Sequence, residues 1–228
     1  MKYVTEYRDR EKAMAIASSI KGLAPAQPVT LMEVCGTHTM SIARFGIKSL
    51  LPENIGLISG PGCPVCVTPN SYVDHAIALS RMKGAAICTF GDMMRVPGST
   101  SSLARERMNG ADVRMVYSTI DALEIAKQNP QLETVFLGVG FETTSPTIAA
   151  SIDIARKNSL KNYSVLSANK VVPPALDALM SGGPKIDGLI LPGHVSAIIG
   201  TKGYSDFASK HSVAMAIAGF EPLDILGA

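Results

Sequence analysis

Residues 55–69 read Ile55-Gly56-Leu57-Ile58-Ser59-Gly60-Pro61-Gly62-Cys63-Pro64-Val65-Cys66-Val67-Thr68-Pro69. The run Ile55 to Ser59 is short and apolar, the pattern of a buried strand. The Gly/Pro-rich segment after it is a loop. Tyr72 to about Lys83 then reads as a helix. Strand, loop and helix in that order make one repeating unit, and the chain repeats it about eight times. Upstream, the helix Glu6–Lys21 is followed by a strand at Val29–Val34, a loop at Cys35–Thr39 and a short helix at Met40–Phe45. Downstream, further strands fall at 85–90, 113–117, 134–139, 163–168, 186–191 and 213–218. Helices fall between them, at 103–109, from Ser118 to Gln128, up to Asn158, from Pro173 to Gly182 and at 204–210.

Short apolar strands alternating with helices of roughly ten residues predict parallel sheets covered on both faces. The class is α/β. The expected architecture is two doubly wound, Rossmann-like parallel-sheet domains facing a cleft, 1–117 and 118–228. The helix after Tyr117 would carry the chain across. The alternative is a closed barrel of eight strand–helix units, for which 228 residues is short.

Composition narrows the function. Apolar residues make up 46% and charged residues 18%, enough for a sizeable core and too apolar for disorder. Net charge is +2, and the 21 basic residues form no run, so no nucleic-acid footprint is visible. Trp is absent and aromatics are 5%, which argues against base-stacking platforms. No segment approaches the ~18 consecutive apolar residues of a spanning helix, so no membrane partner is expected. The start, Met1–Lys12, is highly charged and has no apolar signal region. A cytoplasmic protein is the expectation, and there ordinary cysteines stay reduced.

Four cysteines in that setting point to reactivity or metal binding rather than structural disulfides. In open parallel sheets, ligands bind outside the carboxyl ends of the strands. Cys35, His38, Cys63, Cys66, Asp92, Glu142 and His194 all follow strands. The Cys35 and Cys63/Cys66 loops are expected to face each other across one thiol-lined site. Cys63-Pro-Val-Cys66 reads as a thioredoxin-like redox pair, or as half of a zinc site completed by Cys35 and His38. His38 reads either as a partner for the Cys35 thiolate or as a satisfied core histidine. Glu142, Thr143 and Thr144 place a carboxylate and two hydroxyls at a helix start, where a threonine also serves as a plain N-cap. Pro192-Gly193-His194 reads as a site histidine or a solvated turn. Cys88, inside the apolar run Ala85–Phe90, reads as a packed, inert thiol.

Five motifs together carry a resemblance. They are Cys35-Gly-Thr-His-Thr39, Gly60-Pro-Gly-Cys-Pro-Val-Cys-Val-Thr-Pro69, Gly140-Phe-Glu-Thr-Thr144, Pro192-Gly-His-Val-Ser196 and Gly219-Phe-Glu-Pro-Leu-Asp-Ile-Leu226. In this set and order the chain closely resembles the HypD family of hydrogenase maturation (expression/formation) proteins. The resemblance implies a scaffold for assembling the Fe(CN)2CO unit of [NiFe] hydrogenases, rather than a metabolic enzyme. It implies that Cys35 holds iron jointly with a cysteine of a HypC-type small chaperone. It implies that Cys63 and Cys66 serve redox and ligand chemistry beside that iron, and that a HypE-type partner delivers cyanide as a thiocyanate. The catalytic set implied is Cys63, Cys66, His38, Glu142, Thr143, Thr144 and His194; the metal set is Cys35, Cys63 and Cys66. A zinc-clamped binding module and a general thiol–disulfide oxidoreductase remain the alternatives.

The chain departs from the family pattern twice. Met40 stands where the first motif usually continues with a second histidine. The family also carries a [4Fe-4S] cluster on four further cysteines, and no cysteine follows Cys88 here. The resemblance covers the whole chain but about the first two-thirds of the family. Pro222–Ala228 reads as the start of a helix cut short, with Leu223, Ile225 and Leu226 partly exposed.

Overall fold

The computed structural model describes Lys2 and residues 5–228; Met1, Tyr3 and Val4 of the charged stretch Met1–Lys12 lie outside the described residues. Among the described residues, eight strands follow the alternation of the sequence: β1 (Val29–Glu33), β2 (Ile55–Ser59), β3 (Ala85–Thr89), β4 (Val113–Met115), β5 (Glu133–Gly138), β6 (Tyr163–Ser167), β7 (Gly188–Pro192) and β8 (Ala214–Ala218). The α-helices are α1 (Arg10–Leu23), α2 (Gly36–Arg44), α3 (Asn70–Ser80), α4 (Leu103–Met108), α5 (Thr119–Gln128), α6 (Ser145–Lys157), α7 (Val172–Ser181), α8 (Gly193–Ile199), α9 (Lys202–His211) and α10 (Pro222–Gly227). None is long and apolar enough to cross a membrane. The strands form two separate four-stranded sheets, β2-β1-β7-β8 and β4-β3-β5-β6, and every ladder is parallel. Two α/β doubly wound units, not a closed barrel, are therefore observed.

The division between the units differs from the expected 117/118 boundary. One unit comprises Met1–Cys63 with Val171–Ala228, and the other is Pro64–Lys170. The cause is strand pairing. β1 takes β7 as its neighbour, so the last quarter of the chain completes the sheet begun by the first. The helix after Tyr117 does not cross between units; the chain crosses after Cys63 and again after Lys170.

Taken in chain order within each unit, both sheets share one spatial order: second, first, third, fourth. The order reverses between β1 and β7 in one sheet and between β3 and β5 in the other. Such reversals leave a crevice at the carboxyl ends of the two strands, where loops diverge to opposite faces.

Strand alternation explains how each sheet is covered. In the Pro64–Lys170 unit, Ile87, Val135 and Leu137 face one core with Val73 and Ile77 of α3 and Leu103 of α4. Their neighbours Cys88 and Phe136 face the other, with Ala122 of α5 and Ile148 of α6. Ser118 and Asp121 close a capping box at the start of α5, satisfying backbone N–H groups the helix cannot. In the other unit, Leu57 and Ile190 pack with Ile42 of α2 and with Ile225 and Leu226 of α10, with Ala13, Ile16 and Ile20 of α1 against them.

The C-terminal stretch is thus a correction. Leu223 is half-buried as expected, but Ile225 and Leu226 are 5% and 6% exposed. α10 opens with a Glu221–Asp224 capping box, and the Arg8 guanidinium forks onto the Glu221 carboxylate.

Candidate functional site: thiol loops at the sheet edges

In the unit built on β1, β2, β7 and β8, three loops meet at the carboxyl edge. The β1–β7 ladder extends one step beyond β1, with the Val34 N–H donating to the Ile190 carbonyl at 3.0 Å. Cys35 follows at once. Its backbone is extended, it is the N-cap of α2, and its side chain makes no capping bond. Its carbonyl accepts from the N–H groups of His38 (2.9 Å) and Thr39 (3.3 Å). Cys35 is half-buried at the positive end of the α2 dipole. No helix start lies as close to Cys63 and Cys66, since α3 begins at Asn70, four residues beyond Cys66.

The Cys63 loop lies against the Cys35 loop. A Cβ built at Gly36 would stand 3.9 Å from the Gly62 Cα. Gly62 itself has φ +76, a backbone state that L side chains rarely adopt. Gly60 donates its N–H to the Glu33 carbonyl at 2.8 Å, and a Cβ at Gly60 would stand 2.8 Å from that same oxygen. The glycines of the Gly60-Pro-Gly-Cys motif are thus required by close approach to β1 and by backbone sign. Cys63 is half-buried.

Behind these loops sit two buried polar side chains. His38 is 0% exposed. Its Nε2 lies 2.8 Å from the Gly219 carbonyl oxygen, so that nitrogen carries the proton and donates. Its Nδ1 is enclosed without a hydrogen-bond partner. Burial pushes the imidazole below its ordinary pKa, against the opposing pull of the Gly219 and Ala218 carbonyls and the Glu33 and Asp224 charges. His38 is therefore a neutral, core-anchored histidine. Its ring packs on Phe220 at 4.7 Å, and exposed His194, in the first turn of α8, packs on the same ring at 5.1 Å.

The second buried group is Glu33, 2% exposed at the end of β1. Its Oε1 accepts from Thr39 Oγ1 at 3.1 Å and Ser59 Oγ at 2.9 Å, while Oε2 is enclosed without a partner. Sequence reasoning missed both Glu33 and the role of Phe220. Phe220 lay within a quoted motif, and a carboxylate two residues ahead of Cys35 on an apolar strand was the available signal.

In the Pro64–Lys170 unit, Cys66 is exposed in the turn that follows Pro64. Thr68 pins that turn, its hydroxyl donating to the Pro64 carbonyl at 2.8 Å, and Val65 packs on the core beneath. Glu142, Thr143 and Thr144 follow β5, one side of that sheet's order reversal. Glu142 is buried, and Thr143 and Thr144 are half-buried. Thr144 occupies the N-cap of α6, but its side chain makes no capping bond. Asp92 is exposed in a short 3-10 turn after β3. Met40, in place of the family histidine, is 70% exposed on α2.

The structure thus gathers Cys35, His38, Cys63 and His194 in one unit and Cys66, Glu142, Thr143 and Thr144 in the other. Among the described residues, no three His, Cys, Asp or Glu side chains are grouped as a metal site. The chain's thiols also do not fit a [4Fe-4S] cluster. Of four cysteines, Cys88 is fully buried in the core, its thiol pushed up to about 12 by burial.

Comparison with known proteins agrees with these motifs. The HypD family model, described as "Hydrogenase formation hypA family", matches residues 11–228. The hydrogenase maturation factor HypD2 of Bradyrhizobium diazoefficiens and the HypD of Cupriavidus necator are each 46% identical over the whole chain. The HypD of Escherichia coli is 42% identical over 99% of it. In all three the match covers 62% of the relative's own length, so the chain spans under two-thirds of these proteins. With matched residues running through all five motifs and both sheets, the chain belongs to the HypD family of hydrogenase maturation factors.

Proposed function

We propose that this chain supplies the thiol scaffold on which the Fe(CN)2CO unit of a [NiFe] hydrogenase is assembled, with iron as its cargo. The observation that carries the reading is the placement of Cys35. It is a half-buried thiol at the start of a helix, at a sheet-order reversal, against the glycine loop that presents Cys63.

Soft thiolates suit low-spin Fe(II) bearing cyanide and carbonyl. In this reading Cys35 binds the iron together with a cysteine from a HypC-type chaperone. Cys63 and Cys66 act beside it; their oxidation to a disulfide releases two electrons and two protons for ligand chemistry at the iron. A HypE-type partner brings cyanide. His38 is neutral and committed to the Gly219 carbonyl, so its part is to hold the start of α2 rather than to shuttle protons. In this reading the part of the family's length outside the match supplies the cluster that returns electrons to the pair.

The test is complementation. Cys35→Ala is introduced at the matching position of a full-length relative in a strain lacking its own copy, and hydrogenase maturation is assayed. Loss of maturation with normal protein levels supports the reading. Maturation at the parental level would overturn it.

A further inference from the structure

We infer that Glu33 is the positioning residue that holds the Cys35 and Cys63 loops in register. The inference rests on the proposed pairing of those loops in function, but its geometry stands apart. Three contacts converge on this one residue. Its Oε1 binds Thr39 Oγ1, in the first turn of the helix that Cys35 caps. The same oxygen binds Ser59 Oγ, the last residue of β2 before the Gly60-Pro-Gly-Cys63 loop. Its carbonyl oxygen takes the Gly60 N–H at 2.8 Å. Glu33 and Ser59 are also direct partners across the β1–β2 ladder. One side chain therefore joins Thr39, four residues after Cys35, to Ser59, four residues before Cys63.

The arrangement is costly for stability alone. A carboxylate that is 2% exposed, with Oε2 enclosed and unbonded, loses hydration that two hydroxyl donors do not replace. Replacing this carboxylate by an apolar side chain of similar length removes that uncompensated desolvation cost. The two donors would not be stranded by such a change, because Ser59 is exposed and Thr39 half-exposed to water. The contacts Glu33 makes specify geometry rather than add stability, and the geometry they specify is the spacing of the thiol loops.

The two roles separate in one experiment. In the 228-residue chain carrying Cys66→Ser, dibromobimane, which fluoresces on bridging two thiols, reports the Cys35–Cys63 bridging rate. Monobromobimane reports the reactivity of each thiol singly. Glu33→Met is expected to leave the melting temperature unchanged or raised, to leave single-thiol alkylation unchanged, and to slow bridging by at least about tenfold. Glu33→Gln, whose amide oxygen still accepts both hydroxyls, is expected to restore bridging to near the parental rate. Bridging at the parental rate in Glu33→Met overturns the inference. So does a fall in melting temperature that accounts for the slowing, a Glu33→Gln variant as slow as Glu33→Met, or a parent chain that does not bridge. Should Glu33→Met not fold, Thr39→Val removes one of the two contacts. It is expected to slow bridging by a smaller factor, and a parental rate there overturns the inference equally. None of these outcomes depends on maturation, so failure of the Cys35→Ala test would leave this result standing on its own.

Discussion

The His38 imidazole donates from Nε2 to the Gly219 carbonyl at 2.8 Å, tying the helix after β1 to the turn after β8 across 181 residues of sequence. That bond is part-buried, with His38 fully enclosed and Gly219 half-buried, and its loss would take this donor from the Gly219 carbonyl. His38→Leu keeps an apolar body against Phe220 but removes the donor. It is expected to destabilise the chain by about 1–3 kcal/mol, read from the midpoint of urea denaturation with the slope unchanged. An unchanged midpoint would show the Gly219 carbonyl finding water instead.

α10 offers a test of the unit that the first and last parts of the chain build together. Ile225 and Leu226 are buried against Leu57, Ile190 and Ile42, with the residues of α1 beside them. Leu226→Ala is expected to cost about 2–5 kcal/mol, as for other large-to-small core changes. Leu223→Ala, at a half-buried position on the same helix, should cost clearly less. Equal, small effects at both sites would mean that α10 is not part of the core.

These two predictions also mark where the sequence was legible. Each strand shows as an apolar run between turn residues, and all eight lie within a residue or two of those runs, because a buried parallel strand must be apolar on both faces. Partner choice is not written that way. Val29–Glu33 and Gly188–Pro192 are adjacent in the sheet, yet neither carries a mark naming the other, so a division by sequence order broke one unit in half. That the Cys35 and Cys63 loops adjoin was legible because both follow strands, and loops after parallel strands gather at one edge of the sheet. Glu33 was not, because a charge at a strand end ordinarily reads as solvated; only the packing of Thr39 and Ser59 around it shows it buried. The burial of α10 is not legible either, because it depends on α1 and β7, distant in sequence.

Glu106 gives a pH dependence with a defined sign. It is buried, and the Arg81 guanidinium fork, aided by Ser101, pulls its carboxyl from 4.5 to about 2. Above pH ~4.5 the carboxyl is ionised in folded and unfolded chains alike, and the pairing contributes fully. Below that the unfolded chain takes up the proton first, so stability falls progressively as pH drops towards about 2. Other depressed carboxyls add to the acid slope, so the comparison is between parent and Glu106→Gln. The variant should be less stable at neutral pH and show a shallower decline across this window. Parallel curves would mean the pairing survives unfolding or contributes nothing.

The last prediction concerns the cluster. A cubane takes about four cysteine thiolates as ligands. This chain has four cysteines in all, and Cys88 is packed against Phe136, Val116, Ala122 and Ile148. Burial pushes its thiol up to about 12, so it is neither exposed nor ionised in the folded chain. Iodoacetamide should therefore modify Cys35, Cys63 and Cys66 in the folded, reduced protein and reach Cys88 only in denaturant. Anaerobic reconstitution with iron and sulfide should then give no stoichiometric absorbance near ~400 nm and fewer than about four irons per chain. The argument rests on core packing, so Cys88→Ala should leave the reconstitution result unchanged. A stoichiometric cubane that vanished in Cys88→Ala would show that Cys88 leaves the core to ligate iron, and that the packing around Phe136 opens under reducing conditions.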